Sequence, residues 1–286
     1  MELVILSGKG GTGKTTIATA LSELARDVMR VDCDVDAPNF YLYYKGEDIE
    51  RNDFIGSKKA VIDKNKCVKC GKCKDVCRFE AIDYINGEFT VDSFSCEGCG
   101  LCSIACNFKA ISLEDEKTAD VYITKIESGL LSRAEMEIGA DGSGKLITQL
   151  RENAKRYNRE NKLTIIDGSP GIGCPVISSI TGSSAALIVT EPTRSGLEDL
   201  KRVYSLCKHF GIKTFVCINK FDINLEVTED IEEFAKNNNL IIVGKIPFDE
   251  KVMESINNLR PITYYEDSVA NKAIRKMWDN LKEKLN

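Results

Sequence analysis

The sequence predicts an α/β fold in which a mainly parallel sheet is flanked by helices and interrupted by a small cysteine-rich insertion. Three observations carry this. Short apolar runs alternate with helix-periodic stretches along most of the chain, the pattern of strands buried on both faces. The first such run, residues 2–6, passes through a glycine-rich turn into a helix over 14–26. Eight of the 12 cysteines crowd between Cys67 and Cys106.

The first strand, turn and helix are followed by a strand over 28–31 that ends at Asp32-Cys33-Asp34, the beginning of a parallel sheet. From about Ser57 to residue 115 long apolar runs give way to Cys, Lys and Gly. Further strands are expected over 120–127, 163–167, 185–190, 213–218 and 240–245. Helices are expected over 145–158, 195–208, 226–236 and 269–284. The layout is one α/β domain, 1–56 and 116–286, with 57–115 inserted.

Bulk properties narrow the function classes. A net charge of −5 gives no global attraction to nucleic acid or to an anionic membrane. No run approaches the ~20 apolar residues of a membrane span. The chain enters a strand at Glu2 without a basic, then apolar, leader, so a cytoplasmic location is expected. Thiols stay reduced there, and such cysteine crowding points to metal rather than disulfides. The single histidine, His209, argues against a histidine triad or a multi-histidine metal site.

The turn after the first strand reads Gly8-Lys9-Gly10-Gly11-Thr12-Gly13-Lys14-Thr15, with Thr16 next. It fits G-x-x-x-x-G-K-[ST] between a strand and a helix, the signature of a P-loop NTPase. Glycines let backbone N–H groups close around phosphate oxygens, and the helix N-terminus adds positive potential. Lys14 is expected on the β/γ-phosphates of ATP and Thr15 on Mg²⁺. A second stretch, Gly139-Ala140-Asp141-Gly142-Ser143-Gly144-Lys145-Leu146, copies the spacing but has Leu146 in place of the hydroxyl, so it reads as a loop before a helix.

Lys9 is not required by a plain phosphate-binding loop. With it, the loop resembles that of the MinD/ParA family, which includes the nitrogenase iron protein and Mrp-type ATPases. That resemblance implies a dimerising ATPase, homotypic or paired with a related chain, in which Lys9 reaches the partner's nucleotide. It also implies that Asp34 positions or activates water, that Asp32 supports the Mg²⁺ shell, and that Asp36 belongs to the same switch. Helix capping is the competing reading for Asp34 and Asp36. Ile165-Ile166-Asp167-Gly168-Ser169-Pro170-Gly171 resembles the family's second switch, with Asp167 near Mg²⁺. Asn219 resembles the adenine ligand, and Pro247-Phe248-Asp249 the segment over base and ribose; an ordinary turn is the competing reading at both places.

Within the insertion, Cys67, Cys70, Cys73 and Cys77 recur as Cys96, Cys99, Cys102 and Cys106, and Phe79-Glu80-Ala81-Ile82 recurs as Phe108-Lys109-Ala110-Ile111. Each run has the C-x₂-C-x₂-C-x₃-C spacing of bacterial-type ferredoxins, whose fourth cysteine ligates the other cluster. Two [4Fe–4S] clusters are therefore expected, one on Cys67, Cys70, Cys73 and Cys106, the other on Cys96, Cys99, Cys102 and Cys77. The proline that usually follows the fourth cysteine is replaced by Arg78 and Asn107. Lys64, Lys66, Lys69, Lys72, Lys74 and Arg78 form either a docking face for an acidic partner or a solvated face. Cys174 follows the second switch and reads either as a buried helix-start thiol or as a thiol facing a dimer partner. Cys33, Cys207 and Cys217 read as core thiols.

Together these readings imply nucleotide-driven dimer closure coupled to electron transfer toward a redox or iron–sulfur acceptor protein. An iron–sulfur or metallocofactor assembly carrier is the alternative. A ParA-like positioning protein fits less well, because the chain has neither a basic tail nor a terminal amphipathic membrane helix.

Overall fold

A computed structural model describes residues 1–140, 143–160 and 162–285. Asp141 and Gly142 of the second glycine-rich stretch lie outside the described residues. The elements in chain order are β1 (Glu2–Leu6), α1 (Lys14–Ala25), β2 (Val28–Asp32), β3 (Gly46–Ile62), α2 (Lys72–Asp75), β4 (Ile82–Ile85), β5 (Glu88–Val91), α3 (Leu101–Ala105), β6 (Ile111–Ile126) and β7 (Gly129–Met136). They continue with α4 (Gly144–Tyr157), β8 (Thr164–Asp167), α5 (Cys174–Ile180), β9 (Ala185–Thr190), α6 (Arg194–His209), β10 (Lys213–Asn219), α7 (Leu225–Asn237), β11 (Ile241–Ile246), α8 (Glu250–Asn257) and α9 (Val269–Leu285).

One nine-stranded sheet runs in the order β11-β10-β9-β1-β8-β2-β7-β6-β3. β1 pairs in parallel with β8 and β9, β2 with β8 and β7, and β10 with β9 and β11. Leu3, Val4, Ile5, Leu6, Ile165, Ile166 and Ala186 to Val189 are fully buried, as a sheet covered on both faces requires. α1 and α9 add Ile17, Leu21, Ile274, Met277 and Leu281 to the same core. Because the central strands are parallel, the segments after β1, β2, β8, β9, β10 and β11 all emerge at one edge of the sheet, where α/β folds place their ligands.

The chain forms two compact units, Met1–Asn52 with Val121–Glu135 and Gly142–Asn286, and Asp53–Asp120 with Met136–Asp141. These limits differ from 56/57 and 115/116 because β3 and β6 are far longer than the sequence pattern suggests. β3 has no regular alternation and is rich in charge, which suits its place at the sheet's edge. β6 begins at Ile111, where 120 was expected. β7 escaped notice because Ser132 and Arg133 are buried on it beside Leu131 and Ala134.

In the second unit the sequence repeat is also a backbone repeat. Left-handed conformations occur at Lys69, Gly71 and Glu80, and again at the equivalent Gly98, Gly100 and Lys109. Gly71 precedes α2 and Gly100 precedes α3. Two short helices and a β4–β5 hairpin bury only a small core, built from Ala60, Ala81, Ile82, Ile111 and the cysteines Cys96 and Cys102. So little apolar burial leaves a unit of this kind dependent on additional cross-links.

Arg30 on β2 has no exposed surface. Its guanidinium donates to the Ser128 carbonyl (2.9 Å), the Ser128 hydroxyl (2.9 Å) and the Ser22 carbonyl (3.2 Å), and it lies 4.8 Å from the Tyr44 ring centroid. It thereby ties α1 and the β6–β7 turn to the sheet. Arg30→Ala is expected to cost about 3 kcal/mol or more by orphaning these buried acceptors. That corresponds to roughly 6–12 °C in thermal midpoint by calorimetry.

Candidate functional site

The phosphate-binding loop leaves β1 and becomes α1 at Lys14. Gly11 (φ +79°) and Gly13 (φ +90°) hold it in conformations that side chains rarely adopt. Gly8 packs so closely on Asp199 of α6 that a Cβ there would collide with it. Gly10 and Gly11 have open space where a Cβ would point. The Thr12 side chain is buried and its hydroxyl has no hydrogen-bond partner, while Thr16 sits half-buried in the first turn of α1. Open backbone and an unsatisfied buried hydroxyl fit a loop that closes on phosphate oxygens.

The buried Lys14 ammonium is 2.6 Å from Asp167 Oδ1 and 3.3 Å from Asp34 Oδ2. The Thr15 hydroxyl donates to Asp167 Oδ2 at 2.7 Å. Asp32 is buried beside them, and its carboxylate accepts from the Asp34 and Phe40 backbone N–H groups, both at 3.2 Å. It therefore shapes the loop carrying Asp34. Burial pushes the Asp32 carboxyl well above its ordinary range, and the Asp167 charge pushes it further. Burial also raises Asp34, against the pull of Lys14. Burial disfavours the Lys14 charge, but Asp167 and Asp34 outweigh it and hold the ammonium on. The Asp34 and Asp167 carboxylates and the Thr15 hydroxyl gather hard oxygen donors at Lys14, the donor type that Mg²⁺ takes.

The segments that follow β2 and β8 are stitched to this centre. Ser169 Oγ donates to the Cys33 carbonyl at 2.5 Å, Cys33 N–H to the Asp167 carbonyl at 2.8 Å, and Gly171 N–H to the Ser7 carbonyl at 2.9 Å. Asn219, at the end of β10, donates from Nδ2 to the Thr12 carbonyl at 2.8 Å, so it braces the loop from behind Gly13.

Other sequence-selected residues lie elsewhere. Lys9 Nζ is 2.8 Å from Glu191 Oε1, 3.1 Å from Ser195 Oγ and 3.4 Å from Thr193 Oγ1. Sequence reasoning missed these three partners; the available signal was a strand end followed by Thr193, which caps α6 through the Gly196 N–H. Pro247 follows β11, and Asp249 caps α8. The Asp249 carboxylate accepts from Lys251 N–H (3.0 Å), Ser268 Oγ (2.6 Å) and Ala270 N–H (3.1 Å), joining the starts of α8 and α9. Cys174 is exposed at the start of α5, against the buried alternative, while Cys33, Cys207 and Cys217 are buried. Ser143 caps α4.

In the second unit, one cavity is lined by Cys67, Cys70, Cys73 and Cys106. Another is lined by Cys77, Cys96, Cys99 and Cys102. Each takes three cysteines from one repeat and the fourth from the other. All eight thiols are free. Ala81 N–H donates to Cys77 Sγ and Ala110 N–H to Cys106 Sγ, both at 3.4 Å. Among the described residues no three His, Cys, Asp or Glu side chains converge closely enough for a single metal ion.

Comparison with known proteins follows this geometry. An uncharacterized protein of Methanocaldococcus jannaschii is 36% identical over 286 residues, spanning 99% of this chain and 97% of its own. An iron-sulfur cluster carrier protein of Pyrococcus horikoshii is 25% identical over 305 residues, spanning 99% of this chain and 86% of its own. The solved structure of the septum site-determining protein MinD from Pyrococcus horikoshii, complexed with Mg-ADP, has a TM-score of 0.58 at 20% identity, covering 99% of this chain and 96% of that one. At that identity the likeness is one of fold. Residues 3–262 match the CobQ/CobB/MinD/ParA nucleotide binding domain, and the chain belongs to that family.

Proposed function

We propose that this chain is an ATP-hydrolysing dimer switch that carries two [4Fe–4S] clusters and couples its nucleotide state to one-electron transfer. The observation that carries the reading is the pair of four-cysteine cavities, each completed by a cysteine of the opposite repeat. A cubane holds its thiolates farther apart than a single ion does, so the wide cysteine sets suit a cluster better than zinc. Cys67, Cys70, Cys73 and Cys106 hold one cluster, and Cys96, Cys99, Cys102 and Cys77 the other. Bound there, the clusters supply one-electron storage at potentials set partly by the N–H groups on Cys77 and Cys106.

In the nucleotide site the loop N–H groups and Lys14 hold the phosphates. Thr15, Asp34 and Asp167 are the oxygen donors for Mg²⁺, which neutralises charge on the β- and γ-phosphates. Asp34, less buried than Asp167, is placed to orient water. Lys9 leaves Glu191 to act on the nucleotide of a second protomer. Asn219 supports the adenine side, and Pro247 and Asp249 flank it. The switch segments, stitched by Ser169 and Gly171, register loss of the γ-phosphate.

A second reading, delivery of clusters to apoproteins, is favoured by the 25% identical cluster carrier and by the exposure of Cys70 and Cys99. The two readings separate on one experiment. The reduced protein is mixed with an electron acceptor with and without Mg·ATP, and iron retention is followed in parallel. Electron delivery that changes at least several-fold with ATP while iron stays bound supports the first; release of iron to an apo-ferredoxin without such a change supports the second.

Cys106→Ser is expected to lower bound iron from about eight to about four per chain, with loss of the cluster on Cys67, Cys70 and Cys73 in the electron paramagnetic resonance spectrum. Cys77→Ser should remove the other signal. Lys9→Ala is expected to leave nucleotide affinity within about twofold and to lower ATP turnover by ~10³. Asp34→Asn removes one carboxylate from a crowded set. It is expected to slow hydrolysis about 100-fold or more and to raise the midpoint of the metal- and nucleotide-free protein by about 2–4 °C per kcal/mol relieved. Because Asp32 and Asp34 have raised pKa values in the fold, that metal-free protein should lose stability as pH rises above ~4, and Asp34→Asn should flatten the slope.

A further inference from the structure

At the end of α1 remote from the phosphate loop lies an open crevice of about 1030 Å³, lined by Glu23, Leu24, Arg26, Ser128, Arg260, Thr263, Tyr264, Glu266 and Arg275. None of these residues belongs to the nucleotide site. We propose that this crevice binds a small phosphate ester bearing hydroxyl groups, such as a sugar phosphate.

Three guanidinium groups line the crevice, and none of them makes an ion pair among the described residues. Arg26 and Arg260 make no ion pair among the described residues; Arg260 lies 4.8 Å from the Tyr264 ring centroid instead. Arg275 donates from Nε to Asn271 Oδ1 (3.0 Å) and from one terminal nitrogen to the Thr263 carbonyl (3.1 Å), leaving its other terminal nitrogen available. Planar guanidinium forks of this kind match phosphate oxygens.

The carboxylates decide which anion. Glu23 already accepts from Tyr264 OH at 3.3 Å and lies 3.7 Å from the buried Arg30. Glu266 remains as an acceptor. An acidic peptide would set further charge against Glu23 and Glu266. One phosphate on the arginines with neutral hydroxyl groups near Glu266 uses both kinds of lining. The half-exposed Tyr264 ring offers a flat face for a sugar.

The test uses the full chain saturated with Mg·ADP, so that the phosphate loop is filled. Ribose 5-phosphate, inorganic phosphate and ribose are titrated separately by calorimetry. Saturable binding of ribose 5-phosphate is expected, tighter than inorganic phosphate, with no binding of ribose. The double variant Arg26→Gln/Arg260→Gln should weaken it at least 10-fold, with ADP affinity unchanged. The arginines are exposed, so the double variant tests the site without disturbing the core. The proposal is overturned if ribose 5-phosphate does not bind, if the double variant binds it equally well, or if inorganic phosphate binds as tightly as the ester.

Discussion

Lys14 and its carboxylates form the contact on which the rest of the nucleotide unit converges. Asp167 reaches the ammonium only because β8 lies directly beside β1 in parallel, with Ile5 opposite Asp167 in the register. Asp32 occupies the equivalent place on β2, opposite Asp167. Strand pairing thus sets Asp32 beside Asp167, the buried apolar strands pin that pairing, and the loop after β2 brings Asp34 to Lys14. Burial and mutual repulsion raise the Asp32 and Asp34 carboxyls there.

The same economy explains the neighbouring contacts. Asp32 holds the loop carrying Asp34 through two backbone N–H groups, so the loop's position depends on a carboxylate of the site itself. Ser169 and Gly171 bind the segment after β8 to Cys33 and Ser7, that is, to the segment after β2 and the phosphate loop. Lys9 is held at the start of α6 by Glu191, Thr193 and Ser195.

The cysteine unit follows a different logic. Its apolar core is small; Cys96 and Cys102 are buried in it, and the partly buried Cys73, Cys77 and Cys106 pack against it. Paired left-handed positions at Lys69 and Gly98, Gly71 and Gly100, and Glu80 and Lys109 show that the repeat is carried by backbone geometry as well as by cysteine spacing. Two cavities result, each closed by a thiol from the other half. Each half lends its fourth cysteine to the other's cavity.

The sequence by itself determined the α/β class, the phosphate loop, the acidic strand ends at Asp32 and Asp167, and the cysteine repeat. These are local signals: short continuous apolar runs, glycines at forced turns and fixed spacings. It did not reveal β3, because an edge strand need not alternate and carries charge instead, nor the first half of β6, which pairs beside it. Nor did it reveal the partners of Lys9, the bracing of the loop by Asn219, or the use of Asp249 as a double helix cap. Only the tertiary structure decided these, since each depends on side chains brought together by strand order rather than by position in the chain. Arg30 is the clearest case: in the sequence it is a charge in a strand, and in the fold it is a fully buried tie between α1, the β6–β7 turn and the sheet, its cost met by the Ser22 and Ser128 carbonyls from two other segments.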